Sequence, residues 1–464
     1  MTTFRVPDFW QSLLCFGGVL VIIVAGVILF GINIHVLLIL SIIWTCLHTL
    51  TLGYKFKDIK TLMSGGVANG LPAAYVFILI GIVVASFIES GTIASIVYYS
   101  LDLIHPAVFL PAGLLLCSFM SVSVGTLMGT VATAGVILIG MGEAMGVPLP
   151  IVAGMVIAGA SFGDKMSPVS DTTNLAAASA GTDLYTHIKA MLYTTVPTYI
   201  LCLIIFTFIG LQYSADALAT NDIEEFRAAI AGHYVVSIWG FIPVIVLFGL
   251  SLRKFAAEPS MIAASAVAIL MAVVQQDHDI LSILASLQDG YKADTGHDGL
   301  NTLVNRGGIQ SMMRTFSLAL FAMALGGMLD KVGYLRSMLQ GILVHLKSVL
   351  SLLAATMLTG IISSIATGQS YISIVLTSQL FKGKYEEMGL KRRMLSRTVE
   401  ESTTLITPLM PWSLGGAFYS AVMGVSVIDY MPWSFLNYLN FLVALIITSL
   451  GFAIFRKSDD EKVN

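Results

Sequence analysis

Eight stretches of about 20 apolar residues dominate this chain, near 10–30, 32–53, 72–90, 193–211, 235–252, 259–275, 311–329 and 434–455. A hydrocarbon core about 30 Å thick takes about 20 helical residues to cross, so each stretch reads as a spanning helix. Composition agrees. Hydrophobic residues make up 56% and charged residues 11%, with mean hydropathy +0.88, against about 25% charged in soluble proteins. The sequence therefore predicts an all-α, polytopic membrane protein held in a lipid bilayer. The net charge of −3 comes with no basic face, which excludes a nucleic-acid partner. Cys15, Cys46, Cys117 and Cys202 lie in apolar stretches without C-x-x-C spacing and read as buried thiols. Trp10 to Phe30 is long enough to span and no A-x-A-like site follows it, so no cleavable signal peptide is expected.

Four more apolar segments break in mid-course: 106–147, 149–181, 348–382 and 394–428. Each break is rich in Gly, Ser, Thr or Pro. Non-helical backbone survives at membrane depth only where protein or a water-filled cavity satisfies its polar groups. Four breaks thus predict a built site, made of re-entrant hairpins and discontinuous helices. They also repeat. Gly66 of "TLMSGG" and Gly308 of "TLVNRGG" are 242 positions apart, as are Gly91 and Gly333. Gly125 and Gly368 are 243 apart, and Ser167-Pro168 precedes Thr407-Pro408 by 240.

Charge patterning orients the halves. Lys55, Lys57 and Lys60, then Arg253 and Lys254, then Lys382, Lys384, Lys391, Arg392 and Arg393 mark cytoplasmic loops by the positive-inside rule. The loop with Asp216, Asp222, Glu224 and Glu225 looks external, as does the loop with Asp277, Asp279, Asp289, Asp294 and Asp298. Equivalent loops therefore face opposite sides, the inverted-topology repeat of secondary transporters, whose site lies where broken helices meet. The expected division is N-terminal helices 1–53, a first repeat 54–211, a connecting loop and linker helices 212–275, a second repeat 276–428, and a final helix with a cytoplasmic tail 429–464. Both termini are placed in the cytoplasm.

The first break, "GDKMSPVSDTTN" (163–174), carries Asp164, Lys165 and Asp171 inside an apolar segment. Intramembrane charges are costly and mark function. Pro168 interrupts the helix between the aspartates. Carboxylate and hydroxyl oxygens on an unwound helix suit a hard cation such as Na⁺ at Asp164, Asp171 and Thr172. They equally suit a proton on a desolvated Asp, so one site exchanges the two by competition. Lys165 reads either as an internal counter-ion or as a side chain reaching water. The competing structural reading makes Ser170-Asp171 a helix cap. In the second half, "EESTTLITPLMPWS" (400–413) offers Glu401 as the deeper carboxylate, with Glu400 nearer the interface, and Thr404 and Thr407 as oxygen donors. The hairpin breaks offer Thr126, Thr130, Gln369 and Ser370. Glu89 reads as interfacial, and His187, on an amphipathic connector, as a structural residue, with a proton relay as the alternative.

"GDKMSPVSDTTNLA" followed by "GTDLYTHI" resembles the signature of the NhaC-type sodium/proton antiporter family, with "VGTLMGT" where that family's hairpin-tip motif sits. The resemblance runs over most of the chain. It implies a bacterial inner-membrane exchanger, compatible with a homodimer, that exports Na⁺ against entering H⁺ and needs no cofactor. It carries ion binding onto Asp164 and Asp171, supported by Ser167, Thr172, Thr173 and Asn174. The chain departs from the family's G-T-S-x-G-T tip, placing Leu127 and Met128 between Thr126 and Gly129, with one hydroxyl fewer. Similar proteins include exchangers coupling Na⁺ and H⁺ to malate and lactate, so a small organic anion or amino acid is the alternative cargo. No H-E-x-x-H is present, so no enzyme is expected.

Overall fold

A computed structural model describes residues 5–103, 106–215, 220–253, 255–340 and 346–457. Asp216, Lys254 and tail residues 458–464, used in the charge reading above, lie outside the described residues, as do the side chains of Asp222 and Asp298. Among the described residues the chain is helical, with no strand beyond an isolated antiparallel bridge between Leu390 and Arg456. Nine of these helices are long and apolar enough to cross a membrane, or up to twelve if each of three bent pairs is one span. This is an all-α, polytopic membrane architecture.

The first two expected spans are the helices Phe9–Ile28 and Ile34–Thr51. The third begins earlier than its hydropathy suggests, running from Phe56 to Glu89. The backbone N–H of Lys55 donates to Asp58 at 2.9 Å and starts that helix, so Lys57 and Lys60 belong to a helix and not to a loop. Gly66 and Gly308 nevertheless keep the register of the repeat, each standing the same distance before the glycine that follows its helix, Gly91 and Gly333. Gly66 lies inside Phe56–Glu89, whereas Gly308 precedes the first turn of Ile309–Lys331. Across the helix crossing Gly66 meets Gly327. A Cβ on Gly66 would lie 2.7 Å from the Gly327 Cα, so bare backbones let these two long helices cross. Both acidic loops contain helices that charge patterning does not reveal: Thr220–His233, Ile280–Asp289 and Asp298–Val304.

The four interrupted segments all break where the sequence does. Pro106–Val124 returns through Gly125 and Thr126 into a helical arm, Leu127–Ala144, that contains a π-helical turn at Val131–Gly135. Val349–Thr367 returns through Gly368 and Gln369 into Ser370–Glu387. Leu149–Met166 stops and resumes as Asp171–Ala180. Arg392–Thr403 stops and resumes as Leu414–Met423. The glycines that close corresponding elements take φ values that favour glycine: Gly91 (69°) and Gly333 (91°), Gly125 (74°) and Gly368 (64°), Gly181 (80°) and Gly424 (70°). Their separations are 242, 243 and 243 positions, so the repeat is backbone geometry as well as sequence.

Arg392–Thr403 is too polar to read as a span, yet every residue from Met394 to Thr403 is buried. Packing by neighbouring helices, not lipid, solvates it, which is the condition under which polar helices persist at membrane depth.

Candidate functional site

Each hairpin tip abuts the break of its own half. A Cβ on Gly125 would sit 2.9 Å from the carbonyl carbon of Val169, and Ser167 Oγ donates to the Val122 carbonyl at 2.7 Å. In the second half the backbone N–H of Leu414 donates to the Gly368 carbonyl at 3.0 Å, and the Ser370 and Thr407 hydroxyls are 2.7 Å apart. The halves then interlock. Tyr371 Oη, beside the second tip, donates to Asp171 Oδ2 at 2.6 Å. Thr173 Oγ1, from the first break, donates to Glu400 Oε1 at 2.8 Å.

Where these parts meet is a cavity of about 200 Å³. Its lining includes Thr126, Asp164, Asp171, Thr172, Gln369, Ser370, Thr404 and Thr407. These eight candidates, hundreds of positions apart in the chain, share one space. Thr172 Oγ1 donates to Asp164 Oδ2 at 3.4 Å, and the Thr172 N–H donates to Asp171 Oδ1 at 2.7 Å, so Thr172 links the two carboxylates. Asp164 is 7% exposed, whereas Asp171 is exposed at the first turn of its helix. Ser170 caps that helix through the Thr173 N–H, so the capping geometry is real and coexists with the cavity. No Lys, Arg or His lines the cavity among the described residues. Its only formal charges are the two aspartates.

The remaining candidates stand outside this lining. Ser167 and Asn174 hold the break together: Asn174 Nδ2 donates to the Pro168 and Ser170 carbonyls at 3.0 and 2.7 Å. Thr130 is buried and bonds back to the Thr126 carbonyl at 3.0 Å. Thr173 turns toward Glu400 and the Asp164 carbonyl. Glu401 accepts from Thr194 and faces Arg397 at 4.0 Å. Lys165 is 1% exposed, away from water, with its Nζ in no hydrogen bond. Its charge faces Glu400, Glu401 and Asp164.

Several residues were not foreseen as parts of the site. Tyr371 and Tyr419 line the cavity. Glu400 is 0% exposed and, unlike Glu401, touches the first break. His187 is also 0% exposed and lies 2.6 Å from Glu400. Glu89, which does not line the cavity, is 2% exposed and accepts from His278 Nδ1 at 2.5 Å, so it is a buried, paired carboxylate apart from the site.

Broken helices meeting around a small acidic cavity in a polytopic helical protein are the arrangement of a membrane transporter. More narrowly, the chain belongs to the Na⁺/H⁺ antiporter family, whose model matches residues 9–173 and 159–452. It is 36% identical to the Na⁺/H⁺ antiporter NhaC of Bacillus subtilis (strain 168), over 92% of this chain and 95% of that protein. It is 33% identical to the Na⁺/H⁺ antiporter NhaC of Alkalihalophilus pseudofirmus, over 96% of each. It is 32% identical to the malate-2H⁺/Na⁺-lactate antiporter of Bacillus subtilis (strain 168), over 97% of this chain and 96% of that protein.

Proposed function

We propose that this protein exchanges cytoplasmic Na⁺ for external H⁺ by alternating access across a bacterial inner membrane. Na⁺ and protons compete for Asp164 and Asp171, and Thr172 and cavity oxygens complete the ion's shell. The units that move are the inverted halves 54–211 and 276–428, joined at the cavity. The observation that carries this reading is a cavity with two carboxylates and no cationic side chain. Loss of one proton from the pair leaves room for one Na⁺ at constant charge, which is what exchange by competition requires.

The second reading is Na⁺- or H⁺-coupled movement of a small organic anion. The helices beginning at Leu127, Asp171, Ser370 and Leu414 all present first-turn residues to the cavity. Each helix start carries up to about half a positive charge, and the malate/lactate relative is 32% identical. Two full negative charges from the aspartates offset those partial charges, and Lys165, the cation best placed to hold a carboxylate, does not line the cavity.

Purified protein in liposomes separates the readings. An imposed Na⁺ gradient with no organic solute is expected to change internal pH, and Asp171→Asn is expected to abolish the change. A pH change that appears only when malate, lactate or an amino acid is added would select the second reading.

A further inference from the structure

His187 sits one turn inside Leu184–Ala215, completely buried, between two polar partners from the second broken helix. Its Nε2 is 2.6 Å from Glu400 Oε2 and its Nδ1 is 2.8 Å from Ser396 Oγ. Ser396 Oγ also lies 3.1 Å from the Arg393 carbonyl. A serine has one proton to donate and a hydroxyl that rotates. If that proton points to the Arg393 carbonyl, Nδ1–H donates to Ser396 and Nε2–H donates to Glu400, and the imidazole is charged. If the hydroxyl turns to Nδ1, Nε2–H still donates to Glu400 and the imidazole is neutral. Both protonation states are fully hydrogen-bonded with every heavy atom in place.

Charge balance supplies the coupling. The groups facing this pair come from several helices. Leu149–Met166 gives Asp164 and Lys165, while Arg392–Thr403 itself gives Arg397 and Glu401. Asp171 acts on Asp164 from the first break, and Tyr385 of Ser370–Glu387 faces Arg397 and Glu401. The half-buried guanidinium of Arg393 lies over the Phe455 ring. Within the buried cluster, Asp164, Glu400 and Glu401 outnumber Lys165 and Arg397 by one negative charge. A proton on His187 cancels that charge, and so does a Na⁺ at Asp164. Thr173 connects the two places, with its Oγ1 2.8 Å from Glu400 and 3.2 Å from the Asp164 carbonyl.

We propose that His187, with Glu400 as its counter-charge and Ser396 as its rotor, is a second proton-holding site whose occupancy opposes Na⁺ in the cavity. This rests on the exchange reading above and adds to it a proton carrier outside the aspartates. The test titrates Na⁺ into purified full-length protein in weakly buffered detergent solution. Calorimetry follows Na⁺ binding, and a pH indicator counts protons released per Na⁺ bound. Wild type is expected to release protons. His187→Gln is expected to bind Na⁺ but release up to one proton fewer, with a correspondingly shallower dependence of Na⁺ affinity on pH. Glu400→Gln, which removes the counter-charge, is expected to do the same and serves if the first variant does not fold. An unchanged proton count in His187→Gln would overturn the inference while leaving the exchange reading intact. Loss of Na⁺ binding in both variants would mark the pair as structural and also overturn it. Wild-type Na⁺ binding without proton release would overturn the exchange reading itself and this inference with it.

Discussion

Tyr371 is the residue through which the second half holds an aspartate of the first. Its hydroxyl donates to Asp171 Oδ2 at 2.6 Å, while the Thr172 N–H takes Oδ1. Both carboxylate oxygens are thereby aimed. A hydrogen bond to a charged group contributes about 1.5–3 kcal/mol, so Tyr371→Phe is expected to raise the apparent KM for Na⁺ by about tenfold or more. Initial rates of Na⁺-driven pH change in liposomes measure it, and an unchanged KM would show that Tyr371 does not aim the site. At this scale the sequence discloses Asp164 and Asp171 because charge is rare in apolar segments. It does not disclose Tyr371, Glu400 or His187. A tyrosine on a helix is unremarkable until its partner 200 positions away is known. Glu400 and Glu401 are adjacent, and only the rotation of Arg392–Thr403 decides which faces Thr173. The available clue was "EE" leading directly into a broken apolar segment, with a His just after the other break.

Elements here are positioned by close backbone contact and by their ends. At the crossing of Phe56–Glu89 with Ile309–Lys331, a Cβ on Gly66 would fall 2.7 Å from the Gly327 Cα, and one on Gly327 would fall 3.0 Å from the Leu62 carbonyl oxygen. Neither backbone can yield locally, and overpacking of this kind costs about 1–3 kcal/mol. Gly66→Val is expected to lower the thermal midpoint in detergent, as read by intrinsic fluorescence, whereas Gly17→Val, where a Cβ meets nothing within 4 Å, is not. The other end of Phe56–Glu89 is fastened by His278, in the turn between Ala257–Gln275 and Ile280–Asp289. Its hydrogen bond to Glu89 raises the imidazole above its ordinary value, against an opposing effect of burial. A histidine whose folded value is raised contributes fully below its unfolded value of about 6.5 and loses that contribution as pH rises through the higher folded value. The midpoint difference between wild type and His278→Asn is therefore expected to be largest at about pH 5.5 and to shrink by about pH 9. A difference that grows with pH would contradict the pairing. The breaks themselves were legible, because Gly, Ser, Thr and Pro inside apolar segments announce them. The start of Phe56–Glu89 was not, since its first turns carry lysines and look like a loop.

Over the whole molecule, the matched glycine conformations and the two tip-and-break assemblies give a pair of similar halves around one cavity. Lining residues come from both halves, so displacement of one half against the other would change access while Asp164 and Asp171 stay on a single broken helix. The central claim is that one ion at a time, Na⁺ or H⁺, occupies those carboxylates. Equilibrium Na⁺ affinity measured by calorimetry across pH tests it most directly. Competition requires the apparent Kd for Na⁺ to rise steeply as pH falls, by about tenfold per pH unit for each proton displaced, and requires Asp164→Asn and Asp171→Asn each to weaken or abolish binding. A Kd for Na⁺ that is the same at low and high pH in the wild-type protein would contradict the account.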